Sequence, residues 1–343
     1  MRNNAVPRDL ASDCELIDEE DYESEKLRVI SRITVMHPDF KRVTDAVDGA
    51  LKSHRTAGET ICIRLFAEAG CGKSHVSNRF LRLYPPYRKN GQLIKRVLRV
   101  RVPSDPTIKG VSIATLAQLG DSNASKGTEQ EKAERIDYLL RQCGVELWIV
   151  EELHHFVDAE NDKRNMKVAN WFKVRIEQTS IPVLASGLLR TDVLFDMDDQ
   201  LEERFDGPYF LKPFIWFEQG PEPVLANLPF CSYLHLISTQ FPFKDSIDFG
   251  ARDNALRFFC ISRGKQRRIG KLLKQAAMLA EEDNTETIDL PILKRAYDIR
   301  TGHRYEGSMN PFSSEFDLGK ALEELKSEAK RPVLKEGEGV SDH

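Results

Sequence analysis

The sequence predicts an α/β domain built on a parallel sheet, followed by a C-terminal α-helical lid. Three observations carry this. An apolar run at 60–66 passes through a small loop at 67–74 into an amphipathic segment at 75–83, with Val76, Phe80 and Leu83 on one face. A second apolar run at 145–150 ends in Glu151-Glu152, about eighty residues after Lys73, so a second strand end can bring carboxylates to a phosphate loop. From Pro221 onward the apolar residues recur only at helical spacing.

The loop reads Ala67-Glu68-Ala69-Gly70-Cys71-Gly72-Lys73-Ser74. A glycine-containing turn between strand and helix that ends in Gly-Lys-Ser is the phosphate-binding loop pattern. Gly70 and Gly72 allow backbone N–H groups to turn inward as an anion nest at a helix N-terminus. Ala69, Cys71 and His75 complete the expected phosphate-binding stretch. Lys73 can reach the β- and γ-phosphates, and the Ser74 hydroxyl can bind Mg²⁺. Ala67 stands where the first glycine of the pattern usually sits.

Taken in order, residues 1–29 form an acidic tail, and 30–220 the nucleotide-binding domain. His37-Pro38 leads into a helix with Phe40, Val43, Val47, Ala50 and Leu51 at helical spacing. His37 and Phe40 either help to form an adenine pocket or serve ordinary capping and packing. After the loop and its helix, 94–102 alternates as a second strand carrying Lys95, Arg96, Arg99 and Arg101. A turn-rich loop with Thr107 and Lys109 leads to a short helix at 111–119. A polar loop with Lys126 and Thr128 precedes a helix bearing Ile136, Leu139 and Leu140.

The strand at 145–150 then delivers two carboxylates. A carboxylate at a strand's C-terminal end can hold the Mg²⁺ shell, and a second can orient a water against the γ-phosphate. Glu151 takes the metal role, although aspartate is usual there, and Glu152 the water-orienting role. His154 and His155 follow. Adjacent histidines are expected to point apart, which favours a loop or helix-start role over a metal site. A helix with Met166, Ala169, Phe172 and Ile176 leads to a strand at 181–185. Ser186 at its end either senses the γ-phosphate or makes the turn. Arg204, after an acidic run, is either a surface ion pair or a finger that reaches a neighbouring subunit's phosphate. The lid covers 221–302, with helices near 222–241, 251–262, 265–282 and 289–301. Arg267, with Arg268 in reserve, opens its third helix and is placed to face bound nucleotide. Residues 303–343 are expected to be a tail with a short amphipathic segment at 316–329.

The bulk properties narrow the class. The chain has 343 residues, 41% hydrophobic and 30% charged, with a formal net charge of −4. Any DNA contact therefore comes from a local basic patch and not from a global field. The six cysteines form no close pairs, which fits a reduced, cytoplasmic protein without a structural zinc site. No apolar run reaches membrane-spanning length and no signal-peptide pattern opens the chain.

These pieces together resemble an AAA+ ATPase: a P-loop NTPase with a parallel-sheet core and a C-terminal α-helical lid. More closely, the chain resembles the TniB/TnsC transposition regulators. The resemblance rests on His37-Pro38, Gly70-Cys71-Gly72-Lys73-Ser74, Val150-Glu151-Glu152-Leu153-His154-His155, Ile181-Pro182-Val183, Asp199-Gln200-Leu201-Glu202-Glu203-Arg204-Phe205 and the helix at 264–277. It covers about 30–285, and the two tails lie outside it. The Glu-rich start and long C-terminal tail suggest a member carried by a Tn7-like element, CRISPR-associated ones included. The resemblance implies an ATP- and Mg²⁺-dependent ring or filament of identical subunits on double-stranded DNA, linking a TniQ-class targeting protein to a transposase. It implies that Arg204 acts in trans, and that Arg101, Thr107, Lys109, Lys126 and Thr128 line a DNA pore through phosphate contacts. Two other readings stay open: a helicase loader or initiator, disfavoured because no sequence-reading domain follows 303, and a nucleotide-sensing scaffold without DNA. A small-molecule kinase would leave the lid and Arg204 unused.

Overall fold

The computed structural model describes residues 24–104, 106–157, 162–301 and 309–331. In chain order the first elements are α1 (Glu25–Arg32), α2 (Pro38–Ala57), β1 (Cys62–Ala67), α3 (Lys73–Leu83), β2 (Tyr87–Lys89), β3 (Gln92–Ile94) and β4 (Val97–Arg101). Then come α4 (Ile108–Gln118), α5 (Glu129–Gln142), β5 (Leu147–Glu151), α6 (Asp162–Thr179), β6 (Val183–Gly187), α7 (Val193–Asp196), α8 (Asp199–Glu202) and β7 (Phe205–Leu211). The helices α9 (Leu228–Ser238), α10 (Arg252–Ser262), α11 (Gln266–Glu282), α12 (Leu290–Thr301) and α13 (Leu318–Lys330) follow. The chain divides into two units. One is Met36–Phe214 with Lys265–Arg267; the other is the described part of Met1–Val35, Ile215–Gly264 and Arg268–His343.

The first unit is α/β. Its sheet is parallel throughout, in the order β4-β5-β6-β1-β7. Side chains alternate across a strand, and both faces are filled. On β5, Trp148 and Val150 join one core, with Val168 and Phe172 of α6 and Ile136 and Leu140 of α5. Leu147 and Ile149 join the other, with Val43 and Val47 of α2 and Val76 and Phe80 of α3. A sheet covered on both faces needs near-continuous apolar strands, which is why 60–66 and 145–150 were legible. The exception inside β1 is Arg64. It is buried and paired with Asp192 at 3.1 Å, and it donates to the Gly207 carbonyl at 3.3 Å.

Two features correct the sequence reading. The expected strand at 94–102 is shorter, and a β2–β3 hairpin precedes it. Its turn is Asn90-Gly91, with φ of 51° and 79°, the left-handed pair that a two-residue hairpin demands. The sheet also gains a strand after Arg204: β7 lies at its edge beside β1.

The second unit is helical. Phe230, Leu234, Leu256, Phe258, Phe259, Leu272, Leu273 and Leu293 are among its buried residues. The segment expected as a tail at 303–343 is, over its described residues 309–331, part of this unit. Ala321, Leu325 and Ala329 of α13 are buried, Glu328 pairs with Arg263 at 2.9 Å, and Gly220 N–H donates to Ala329. The end of the expected N-terminal tail also packs here. Ser24 caps α1 and donates to Glu281 at 2.6 Å, while Lys26 pairs with Glu286 and lies 4.2 Å over the Phe243 ring. The acidic run before Ser24 lies outside the described residues.

Candidate nucleotide site

The phosphate loop is held from both ends. β1 stops at Ala67 and α3 starts at Lys73, with Gly72 as the N-cap at φ 97°, ψ 6°. No side chain caps that helix, so its first N–H groups are available to an anion. Gly70 also has a positive φ, 91°. Ala67 lies inside the strand and is absent from the left-handed positions; no glycine is needed there, which explains the departure from the pattern. Lys265 and Arg267 brace the loop. Lys265 pairs with Glu68 at 2.8 Å, and Arg267 N–H donates to the Gly70 carbonyl at 3.0 Å. A Cβ on Gly70 would meet the Arg267 Cβ at 3.3 Å.

The Lys73 ammonium donates to the Ala67 carbonyl at 2.7 Å. Burial holds its pKa below the usual lysine range, with Glu152 opposing and Arg267 reinforcing the shift. Cys71 is buried and its thiol is pushed up to about 11, mainly by burial, so it is no nucleophile near neutrality. The His75 imidazole is held below the usual histidine range, first by burial and then by Arg82 and Arg267.

The acidic side sits at the end of β5. Glu151 is 2% exposed, and neither carboxylate oxygen has a hydrogen-bond partner. The parallel register sets Arg101 opposite Glu151, and their charged ends lie 3.5 Å apart. A buried carboxylate without a hydrogen bond is costly and suits a cation or its water shell. Mg²⁺ with ATP therefore fits this donor set: Glu151, the Ser74 hydroxyl, and a loop of backbone N–H groups. Glu152 follows with φ 63°, a strained conformation for a non-glycine residue of the sort that gathers at functional sites. Its carboxylate lies 3.5 Å from His154 Nδ1. His154 is buried, and burial lowers its pKa. Ser186 is the last but one residue of β6, 2% exposed, with an unpartnered hydroxyl.

The remaining residues fall elsewhere. The His37 ring packs edge-on against Phe214 at 5.3 Å and tilted against Phe40 at 5.9 Å, and burial lowers its pKa. Arg204 pairs with Glu177 at 3.0 Å, both partly exposed. Arg268 belongs to the helical unit and donates to the Ile261 carbonyl; Arg267 alone of that pair sits with the loop. Among the proposed DNA contacts, Thr107 and Thr128 are helix caps. Thr107 accepts from Gly110 N–H, and Thr128 forms a capping box with Glu131. Lys109 and Lys126 are exposed. The basic strand is largely occupied internally: Arg96 pairs with Glu146 at 3.0 Å, and Arg99 donates to Asn78 at 2.7 Å.

Residues 27–213 match the family described as bacterial TniB protein. Comparison with curated proteins gives no match. Among solved structures, the Aeropyrum pernix ORC1 protein in complex with DNA is similar at a TM-score of 0.57 and 16% identity, over 82% of this chain and 72% of that one. The A. pernix ORC2 protein is similar in its ADPNP-ADP complexes, at 0.54 and 12% over 81% and 72%, and in its ADP form, at 0.55 and 13% over 82% and 74%. These likenesses agree with the AAA+ fold that the strand order and helical unit display. No described helix is long and apolar enough to cross a membrane.

Proposed function

The chain belongs to the TniB family, and from that premise we propose that it is an ATP-hydrolysing regulator of DNA transposition that assembles on double-stranded DNA. The observation that carries the ATPase part is a braced phosphate loop after β1 and a buried, hydrogen-bond-free Glu151 at the end of β5, one strand away across β6, with Glu151 and Glu152 both acting on the charge of Lys73. The α3 N-terminus and Lys73 bind the phosphates. Ser74 and Glu151 hold the cation, which when present neutralises charge on the phosphoryl oxygens. Glu152 orients the attacking water and takes its proton, Ser186 reports the γ-phosphate, and Arg267 holds the loop. His37, between Phe40 and Phe214, offers an aromatic wall to the base.

Arg204 is proposed to leave Glu177 and complete a neighbouring subunit's site. An exposed pair of this kind costs little to break, about 0–1 kcal/mol. TniQ-class and transposase partners follow from the same family reading. Lys109 and Lys126 are the residues best placed for phosphate contacts; Arg101 must balance Glu151 as well. That the similar A. pernix ORC1 protein was seen with DNA supports a DNA role for such a fold.

The test is fluorescence anisotropy with random-sequence duplex DNA, with ATP, ADP or no nucleotide, beside particle images. ATP-dependent binding with rings or filaments is expected. No binding under any nucleotide would turn the reading to a nucleotide-sensing scaffold, which the internal pairing of Arg96 and Arg99 favours.

A further inference from the structure

Glu152, His154 and His155 lie on one short turn after β5. The backbone there forms a 3₁₀ helix over Leu153–His155, and three residues per turn does not by itself bring adjacent side chains together. Here they converge. The two imidazole rings lie 4.4 Å apart at 35°. One ligand atom from each of the three residues falls within 4.8 Å of the others. His154 Nδ1 is 3.5 Å from Glu152 Oε2, close to the roughly 3.3 Å between two ligand atoms at a tetrahedral angle around a zinc ion. The His154 side chain is 9% exposed, and its Nδ1 is buried without a hydrogen-bond partner. A buried imidazole nitrogen facing a carboxylate, with a second imidazole beside it, lacks only a cation.

We propose that Glu152, His154 and His155 form a transition-metal site of the Zn²⁺ class that, when filled, withdraws Glu152 from the water at the γ-phosphate. Two nitrogens and one oxygen suit Zn²⁺, whereas Mg²⁺ favours oxygen ligands and retains its waters. Three protein ligands leave a fourth position to water. The site is distinct from the Mg²⁺ position at Ser74 and Glu151, yet it shares the carboxylate that turnover needs. Metal binding stands on the cluster alone; its effect on turnover rests on the role proposed for Glu152.

The experiment uses the full chain without nucleotide. Zn²⁺ is titrated by calorimetry, and Co²⁺ serves as a visible-absorption probe of coordination geometry. The expected result is one site per chain with tetrahedral Co²⁺ absorption, weakened at least ~10-fold in His155→Ala and in Glu152→Gln, as loss of a ligand requires. His155 is only partly buried, and circular dichroism checks that its variant folds. Zn²⁺ should then stop wild-type ATP hydrolysis while leaving ATP binding intact, and His155→Ala should hydrolyse ATP in the same Zn²⁺. Unchanged Zn²⁺ binding in both variants, or no binding by the wild type, overturns the site. Binding without inhibition overturns its regulatory role. Lack of ATPase activity in the absence of Zn²⁺ would count against the proposed function and leave the metal titration standing.

Discussion

Gly72→Ala isolates what the phosphate loop asks of its backbone. Gly72 sits at φ 97°, and a Cβ there would meet only Leu211 Cδ1 at 3.9 Å, an ordinary contact. The substitution therefore costs almost nothing in packing and about 1–2 kcal/mol in left-handed backbone strain. Gly58 supplies the control. It ends α2 at φ 70°, with nothing within 4 Å of its Cβ position, so Gly58→Ala carries a similar strain outside the loop, on the other side of β1 in the chain. Both variants should lower the melting temperature, by about 2–4 °C per kcal/mol in a unit of this size. Only Gly72→Ala should relax its strain by turning the loop's N–H groups out of the nest. A hydrogen bond to a charged group contributes ~1.5–3 kcal/mol, and ~1.4 kcal/mol is tenfold in affinity. Gly72→Ala should thus bind ATP at least ~10-fold more weakly than Gly58→Ala in a calorimetric titration. Equal affinity in the two variants would refute the claim that the loop's left-handed backbone makes the anion site.

Other expectations follow from the same geometry. Glu152→Gln keeps the shape of the side chain but cannot take a proton, so it should bind ATP normally and hydrolyse it ~10²-fold or more slowly; single-turnover phosphate release measures this, and unchanged turnover would remove Glu152 from the chemistry. Arg204→Ala breaks only an exposed pair, so unfolding should shift by less than ~1 kcal/mol, while hydrolysis that rises with protein concentration in the wild type should become concentration-independent and slow. Asp137, paired with Arg175 at 3.0 Å, is pushed up to about 6 by burial, against the pull of Arg175. Its folded pKa lies above the unfolded value, so its contribution is fully present below about pH 4 and is lost as pH rises through 6. The melting temperature of Asp137→Asn should therefore gain on the wild type between pH 5 and 7.5, by the equivalent of ~1 kcal/mol; a parallel or opposite trend would show that the pairing, and not burial, governs this group.

The strands and the loop were legible because a sheet covered on both faces leaves its periodicity in the sequence, as at 60–66 and 145–150. The loop's chemistry followed from Gly70, Gly72, Lys73 and Ser74, whose residue types permit little else at that spacing. The β2–β3 hairpin carried its own signal in Asn90-Gly91, which the longer run at 94–102 overshadowed. β7 carried almost none, since Gly207-Pro208 interrupts a seven-residue strand whose place is fixed by pairing with β1 and not by local propensity. The amphipathic stretch at 316–329 showed its apolar spacing, but spacing alone does not say whether the face is covered by the same chain; here Ala321, Leu325 and Ala329 are buried within it. His154 and His155 show the limit most clearly. Neighbours in sequence were expected to point apart, and the turn after β5 brings their rings together. The pairing of Arg101 with Glu151 depends on strand register, which one strand's sequence does not contain.

The central claim is that Lys73 and its loop make a nucleotide site, and an equilibrium titration of ATP into the wild type and Lys73→Ala tests it most directly. The Lys73 ammonium, now held by the Ala67 carbonyl, is expected to move to the phosphates, so its loss should weaken ATP binding by at least ~10-fold. Wild-type affinity in Lys73→Ala would contradict the account at its foundation.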